Sequence, residues 1–227
     1  MSEATLSKVV WEGPGAAADA LPLLAEALAY PGPDLVVAAE RCRAALAPAY
    51  PAAAAGVEDF LDWAAGADPC EREELYARTF DLHPPHCLEV GYQLFGESYK
   101  RGAFLVKVQA AVQALGVERG SDLADHLIVL LRLLPRLEPG PARDLVDEAV
   151  LPALARVVAA FGQSGPEQAP YRRLLEATLA VLQAAYAVQT IRPVPQEPLA
   201  PSPALFRLGT PPPANRHDEP APGGPRR

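Results

Sequence analysis

The chain has 227 residues, half of them hydrophobic but only 7% aromatic, and a net charge of −8. This length suffices for one domain of ordinary size plus a tail, and its apolar content is mostly Ala and Leu rather than the β-branched and aromatic mix of strands. The acidic balance argues against general nucleic-acid binding, which needs a basic footprint to displace phosphate counterions, and favours a basic partner.

Taken in order, residues 1 to 16 read as a flexible N-terminus, because Gly13-Pro14-Gly15 breaks early structure. A first helix is predicted from about Ala17 to Ala29, with Leu21, Leu24, Ala25 and Leu28 on one face, stopped by Tyr30-Pro31-Gly32-Pro33. Asp34 is placed to cap a second helix to about Leu46, ended by Pro48 and Pro51. A third, about Ala52 to Ala65, carries Val57, Phe60, Leu61 and Trp63. Asp68-Pro69 reads as a cap with proline at the first helical position, opening a helix through Tyr76 and Phe80 that stops near Leu82, before Pro84-Pro85.

A short helix from about His86 to Phe95 and a long one capped by Ser98 and ending near Leu115 follow. From Leu123 to about Leu137 the residues are apolar nearly all round, which predicts a central helix. The next helix runs to about Phe161, with Pro152 as kink or break, and the last from about Tyr171 to Ile191. The expected fold is an all-α, single-domain bundle of about eight helices over residues 17 to 191. Residues 192 to 227 read as a disordered Pro-rich tail, since eleven of them are proline. The tail has five Arg against three Asp/Glu, leaving 15 basic against 25 acidic side chains, a net −10, on residues 1 to 191.

Cys42, Cys70 and Cys87 are scattered and odd in number, which suits reduced thiols in a cytosolic protein rather than a disulfide framework or zinc finger. The N-terminus lacks the pattern of a signal peptide, and no run approaches the roughly 20 apolar residues of a membrane helix. The expectation is a cytoplasmic protein.

The stretch Tyr76 to Leu137 gathers aromatics, carboxylates and three of the four histidines. His83, His86 and Cys87 are metal-ligand types, but Pro84-Pro85 hold the histidines on an extended bend and no second cluster is near in sequence, so a linker and helix start is the simpler reading. Asp122, Asp125 and His126 could form a carboxylate–imidazole pair, yet no nucleophile accompanies them and Asp is favoured at a helix N-terminus for any function. Gly96-Glu97-Ser98 with Arg101-Gly102 lacks both phosphate-loop patterns; Arg101 is expected to pair with Asp81 or Glu97 and fix the joint between helices. Tyr76 and Phe80, four apart, read as core.

These residues resemble a known family. Tyr76-x-x-Thr79-Phe80-Asp81-Leu82, the Gly96 to Gly102 element and Leu123-x-Asp125-His126-Leu127 entering an apolar helix are similar to the cytoplasmic chaperones of molybdoenzyme assembly, of the nitrate reductase delta-subunit type. The wider superfamily includes the chaperones of trimethylamine-oxide and dimethyl-sulfoxide reductases. The Tyr30-Pro31-x-Pro33 opening is also similar, so the resemblance spans about residues 20 to 190. It departs at Ala124, where a proline is common, and at Gly96-Glu97, where Gly-Asp is frequent.

The resemblance implies a non-enzymatic protein without a resident cofactor. Its expected partner is the apo catalytic subunit of a molybdopterin-containing oxidoreductase, engaged through its N-terminal or leader segment. In the superfamily an acidic-x-x-Asp-His element is linked to leader recognition, and Asp122, Asp125 and His126 match it. The expected groove has Asp81, Glu97, Asp122 and Asp125 at its edges, Tyr76, Phe80, Tyr92 and Phe95 as apolar contacts, and Arg101 and His126 within it. A homodimer is compatible with the Pro-rich breaks. The alternatives are an α-helical adaptor recruiting partners through its Pro-rich tail, and a metal-dependent hydrolase.

Overall fold

A computed structural model of the chain describes residue 15 and residues 17–82, 84–163, 165 and 168–194. The remainder of the N-terminal stretch, His83 and the tail from Pro195 lie outside the described residues. The fold is an all-α bundle: α1 (Ala17–Ala27), α2 (Leu35–Leu46), α3 (Pro51–Gly66), α4 (Pro69–Tyr76), α5 (Val90–Phe95), α6 (Tyr99–Ala114), α7 (Leu127–Leu133), α8 (Pro139–Leu145), α9 (Leu151–Ala160) and α10 (Ala169–Ala185). None of the described helices is long and apolar enough to cross a membrane.

α7 lies at the centre. Six of its seven residues are buried, Arg132 being the exception, and it packs on α1, which in turn packs on α2. α2 lies on α3 and α3 on α10, while α9 joins α10 to α5. The α3–α10 approach is close because Gly56 lacks a side chain: a Cβ there would lie 3.2 Å from the Arg173 carbonyl and 3.3 Å from the Ala177 methyl. Tyr171 of α10 is the hub of an aromatic cluster, its ring 5.0 to 5.8 Å from those of Phe60, Trp63, Tyr76 and Phe80. Such tilted and edge-on pairs add to the area they bury.

Several predicted ends shift, each for a local reason. α4 begins as expected: the Asp68 carboxylate accepts from Glu71 N, and Glu71 reaches back to Asp68 N, a capping box with Pro69 at the first turn. It continues into a π-helical turn, Ala77–Asp81, before the two prolines end it. Asp34 and Ser98 hold N-cap positions without a side-chain cap bond, and Ser98 Oγ is buried with no partner. The helix expected from His86 starts at Val90, because residues 87 to 89 are extended and paired elsewhere. The one expected from Leu123 starts at Leu127, because residues 123 to 126 form a turn that ends in the bridge of His126 to Glu89. Between α8 and α9 the bend comes before Pro152, as a π-helical turn over Val146–Val150 that accommodates the missing proline amide. α10 ends at Ala185 rather than Ile191: Ala187 takes a left-handed conformation (φ 51°), and Val188 N closes back onto the Gln183 carbonyl.

The domain extends past the predicted boundary at 191. Val194 packs against the core, and Arg192 pairs with Asp147 at 3.2 Å.

Candidate functional site

The site forms where the turn after α4, the extended segment 87–89 and the loop entering α7 meet the first turn of α6. Leu127 N donates to the Leu88 carbonyl (2.8 Å) and Val90 N to the Asp125 carbonyl (2.9 Å), an antiparallel bridge centred on Glu89 and His126. Segment 84–87 is held from behind: the Gln93 amide donates to the Pro85 (3.2 Å) and Cys87 (3.0 Å) carbonyls, and His86 stacks on Phe161 at 4.1 Å. Residues 84 to 87 thus anchor a turn.

Asp125 closes a turn and His126 leaves it as extended chain, and their side chains turn different ways. Asp125 is fully buried. Its Oδ2 faces Arg101 Nε at 3.5 Å, and its Oδ1 has no hydrogen-bond partner among the described residues. Burial pushes this carboxyl above its ordinary range, Arg101 works against that rise, and Glu89 adds to it. Gly91 makes the packing possible, since a Cβ there would sit 2.5 Å from Asp125 Oδ2. Arg101 also covers the Tyr92 ring, 5.5 Å from its centre.

His126 caps α7 through Nδ1, which accepts from Ile128 N at 3.4 Å. That leaves the proton of the neutral ring on Nε2. Burial lowers its pKa, opposed by Asp122, Glu89 and Asp125 and helped by Arg132. Asp81 is exposed, and its carboxyl is raised by partial burial and by Glu89 and lowered by His126. Tyr76 is raised chiefly by burial, then by Asp81, Asp122 and Glu89. Asp81, Glu89 and Asp122 thus lie within electrostatic reach of Tyr76, and Glu89 and Asp122 within reach of His126.

Large apolar side chains stand exposed beside these carboxylates. Leu82 (71% exposed) follows Asp81, and Leu123 (46%) follows Asp122. Tyr30 (56%) meets Tyr76 edge-on at 5.3 Å, and its hydroxyl pKa is raised by desolvation, then by Glu73 and Asp81. The resulting face is acidic with an apolar rim. It suits a ligand that carries cationic groups among apolar ones.

The structure corrects several of the expected site residues. Phe95 and Phe80 are core, as is nearly all of Tyr76, so they support the face from beneath rather than contact a ligand. Asp125 lies inside the protein and edges no groove. Arg101 pairs with Asp125 instead of Asp81 or Glu97, because the 88–90/125–127 pairing brings Asp125 to α6. Glu97 is exposed after Gly96, whose φ of 58° turns the chain away from α5, and it forms no ion pair among the described residues. Tyr92 is half-buried under Arg101. Asp81, Asp122 and His126 do converge. Glu89, Tyr30 and Gly91 were missed: their roles arise from a bridge between residues 37 apart in the chain, Glu89 and His126, and from the return of the 30s turn onto α4. No periodicity signals either contact.

Compared with known proteins, the chain matches no protein-family model and no curated sequence.

Proposed function

We propose that this protein is a cytoplasmic, non-enzymatic chaperone. Its client is the apo catalytic subunit of a molybdenum-containing oxidoreductase, bound through the N-terminal or leader segment and kept competent for cofactor insertion and assembly. The observation that carries the reading is the gathering of Asp81, Glu89 and Asp122 within electrostatic reach of Tyr76, with exposed Leu82 and Leu123 following two of them in the chain and exposed Tyr30 packed edge-on against Tyr76. A leader of this class combines arginines with an apolar stretch. The carboxylates steer and orient the arginines, the leucines and Tyr30 cover the apolar part, and the net −10 of residues 1 to 191 speeds encounter.

In this reading the buried groups position the face. The Asp125–Arg101 pair fastens the α7 entry to α6, and the Glu89–His126 bridge fastens it to segment 87–89. The neutral imidazole adds no counter-charge to Asp81, Glu89 and Asp122, and neighbouring Arg119 is engaged by the Asp122 backbone carbonyl.

The test joins two measurements. Affinity capture from the protein's own cells, followed by mass spectrometry, is expected to recover a molybdopterin-type catalytic subunit. Titration of that subunit's N-terminal peptide is then expected to weaken about tenfold or more in Asp81→Asn/Asp122→Asn, with a flatter salt dependence. Unchanged affinity and salt dependence in that variant would sink the acidic-face assignment. Capture dependent only on the segment beyond Val194 would sink the chaperone reading.

A further inference from the structure

A second concave site lies on another side of the bundle, between the C-terminal half of α3, the outer face of α4 and the start of α10. It is a cleft of about 660 Å³ lined by Asp62, Trp63, Gly66, Ala67, Glu71, Glu74, Leu75, Arg78 and Pro170. Its lining combines an apolar part, where Trp63, Leu75 and Pro170 contribute, with three carboxylates against one guanidinium. Trp63 is half-buried, braced on one side by Phe60 (5.6 Å) and Tyr171 (5.7 Å), so its orientation is set by the core. Gly66 and Ala67, where α3 ends, add little bulk to the lining.

The charges within the cleft are incompletely balanced. Arg78 reaches Glu74 only at 3.8 Å, with both side chains well exposed. Glu71 spends one oxygen on the Asp68 amide in the capping box. Asp62 has no ion pair among the described residues. One guanidinium therefore faces three carboxylates, next to an indole held firmly in place.

We propose that this cleft binds an arginine side chain presented by a peptide with apolar neighbours. Arginine fits better than lysine because its planar guanidinium stacks on an indole and meets carboxylates two bonds at a time. The apolar neighbours cover Ala67 and Pro170. Charge complementarity selects this occupant: an anionic or purely apolar ligand would leave Asp62 desolvated without a counter-charge and Glu74 with only its loose Arg78 contact. This inference does not rest on the client reading above and concerns different residues.

The test uses the full chain carrying Trp11→Phe, so that fluorescence reports Trp63 alone, and the probe acetyl-Leu-Arg-Arg-Leu-amide. Saturable change in Trp63 emission is expected, with affinity at least tenfold above that of the same peptide carrying citrulline in place of arginine. Asp62→Asn and Glu74→Gln, both exposed and harmless to packing, should each weaken binding about threefold or more, and Glu74→Lys should abolish it. Asp81→Asn/Asp122→Asn should leave it unchanged. Equal binding of the citrulline peptide, or indifference to Asp62 and Glu74, overturns the proposal. So does loss of binding in Asp81→Asn/Asp122→Asn alone, which would assign the basic peptide to the other acidic face.

Discussion

Replacing Gly91 by alanine tests whether the site depends on a pinned, buried carboxylate. In an ordinary helix the change stabilises by about 1 kcal/mol, because glycine gives up more backbone freedom on folding. Here the new methyl would meet Asp125 Oδ2 at 2.5 Å, Phe104 Cδ1 at 3.0 Å and Arg101 Cγ at 3.3 Å. Overpacking of this kind costs about 1–3 kcal/mol. Driving Asp125 away from Arg101 adds part of the ~3–5 kcal/mol that accompanies a broken buried pair. The net expectation is a loss of about 2–4 kcal/mol, a fall in Tm of about 6–12 °C for a domain of this size.

Urea unfolding followed by circular dichroism measures the loss directly. Gly102→Ala is the control: it lies exposed in α6 with nothing within 4 Å of its added methyl, so the same substitution should stabilise there by about 0.5–1 kcal/mol. Removing the clashing oxygens should also lessen the penalty, so that Gly91→Ala costs less in an Asp125→Ala background. If Gly91→Ala behaved like Gly102→Ala, the carboxylate would be free to move aside, and the account of a rigid joint beneath His126 would fail.

Titration offers a second check. Burial holds the His126 imidazole below its ordinary 6.5 in the folded protein, so below that pH the unfolded chain binds more protons and stability declines as pH falls. His126→Asn keeps an N-cap side chain and should flatten this decline in unfolding free energy between pH 7 and 5; an unchanged slope would count against the buried neutral ring. Asp125 acts in the opposite sense, its raised folded pKa making the carboxyl stabilising when protonated and costly as pH rises through that value. Burial pushes Cys42 and Cys87 up to about 12, while Cys70 is exposed. Iodoacetamide at pH 8 should therefore label Cys70 first among these three, by peptide mapping, and prior labelling of Cys42 would contradict its buried position. Asp68→Ala removes one half of the α4 capping box and should cost about 1 kcal/mol in the same urea assay; no loss would mean that Pro69 alone sets the helix start.

What the amino-acid order determined by itself was the class of fold and most of its punctuation. Ala- and Leu-rich periodicity made the chain all-α, Asp68-Pro69 set the start of α4, and the unbroken apolar run Leu127–Leu131 marked the helix at the centre. These are local properties: propensity, capping and the width of an apolar face act over a few residues and can be read along the chain. The sequence also brought Asp81, Asp122 and His126 forward as candidates.

Only the tertiary structure decided which way each of them points. Asp125 and His126 are adjacent and similar in polarity, yet one is sealed inside against Arg101 and the other caps α7 among surface carboxylates. That difference comes from a single bridge to Glu89, whose partner His126 lies 37 residues away, and from Gly91, where a missing methyl leaves room for the carboxylate. The end of α10 was equally hidden, since helix-forming Ala187 gave no warning of its left-handed turn. Long-range pairing and close packing depend on what the rest of the fold brings near, and no window along the chain contains that information.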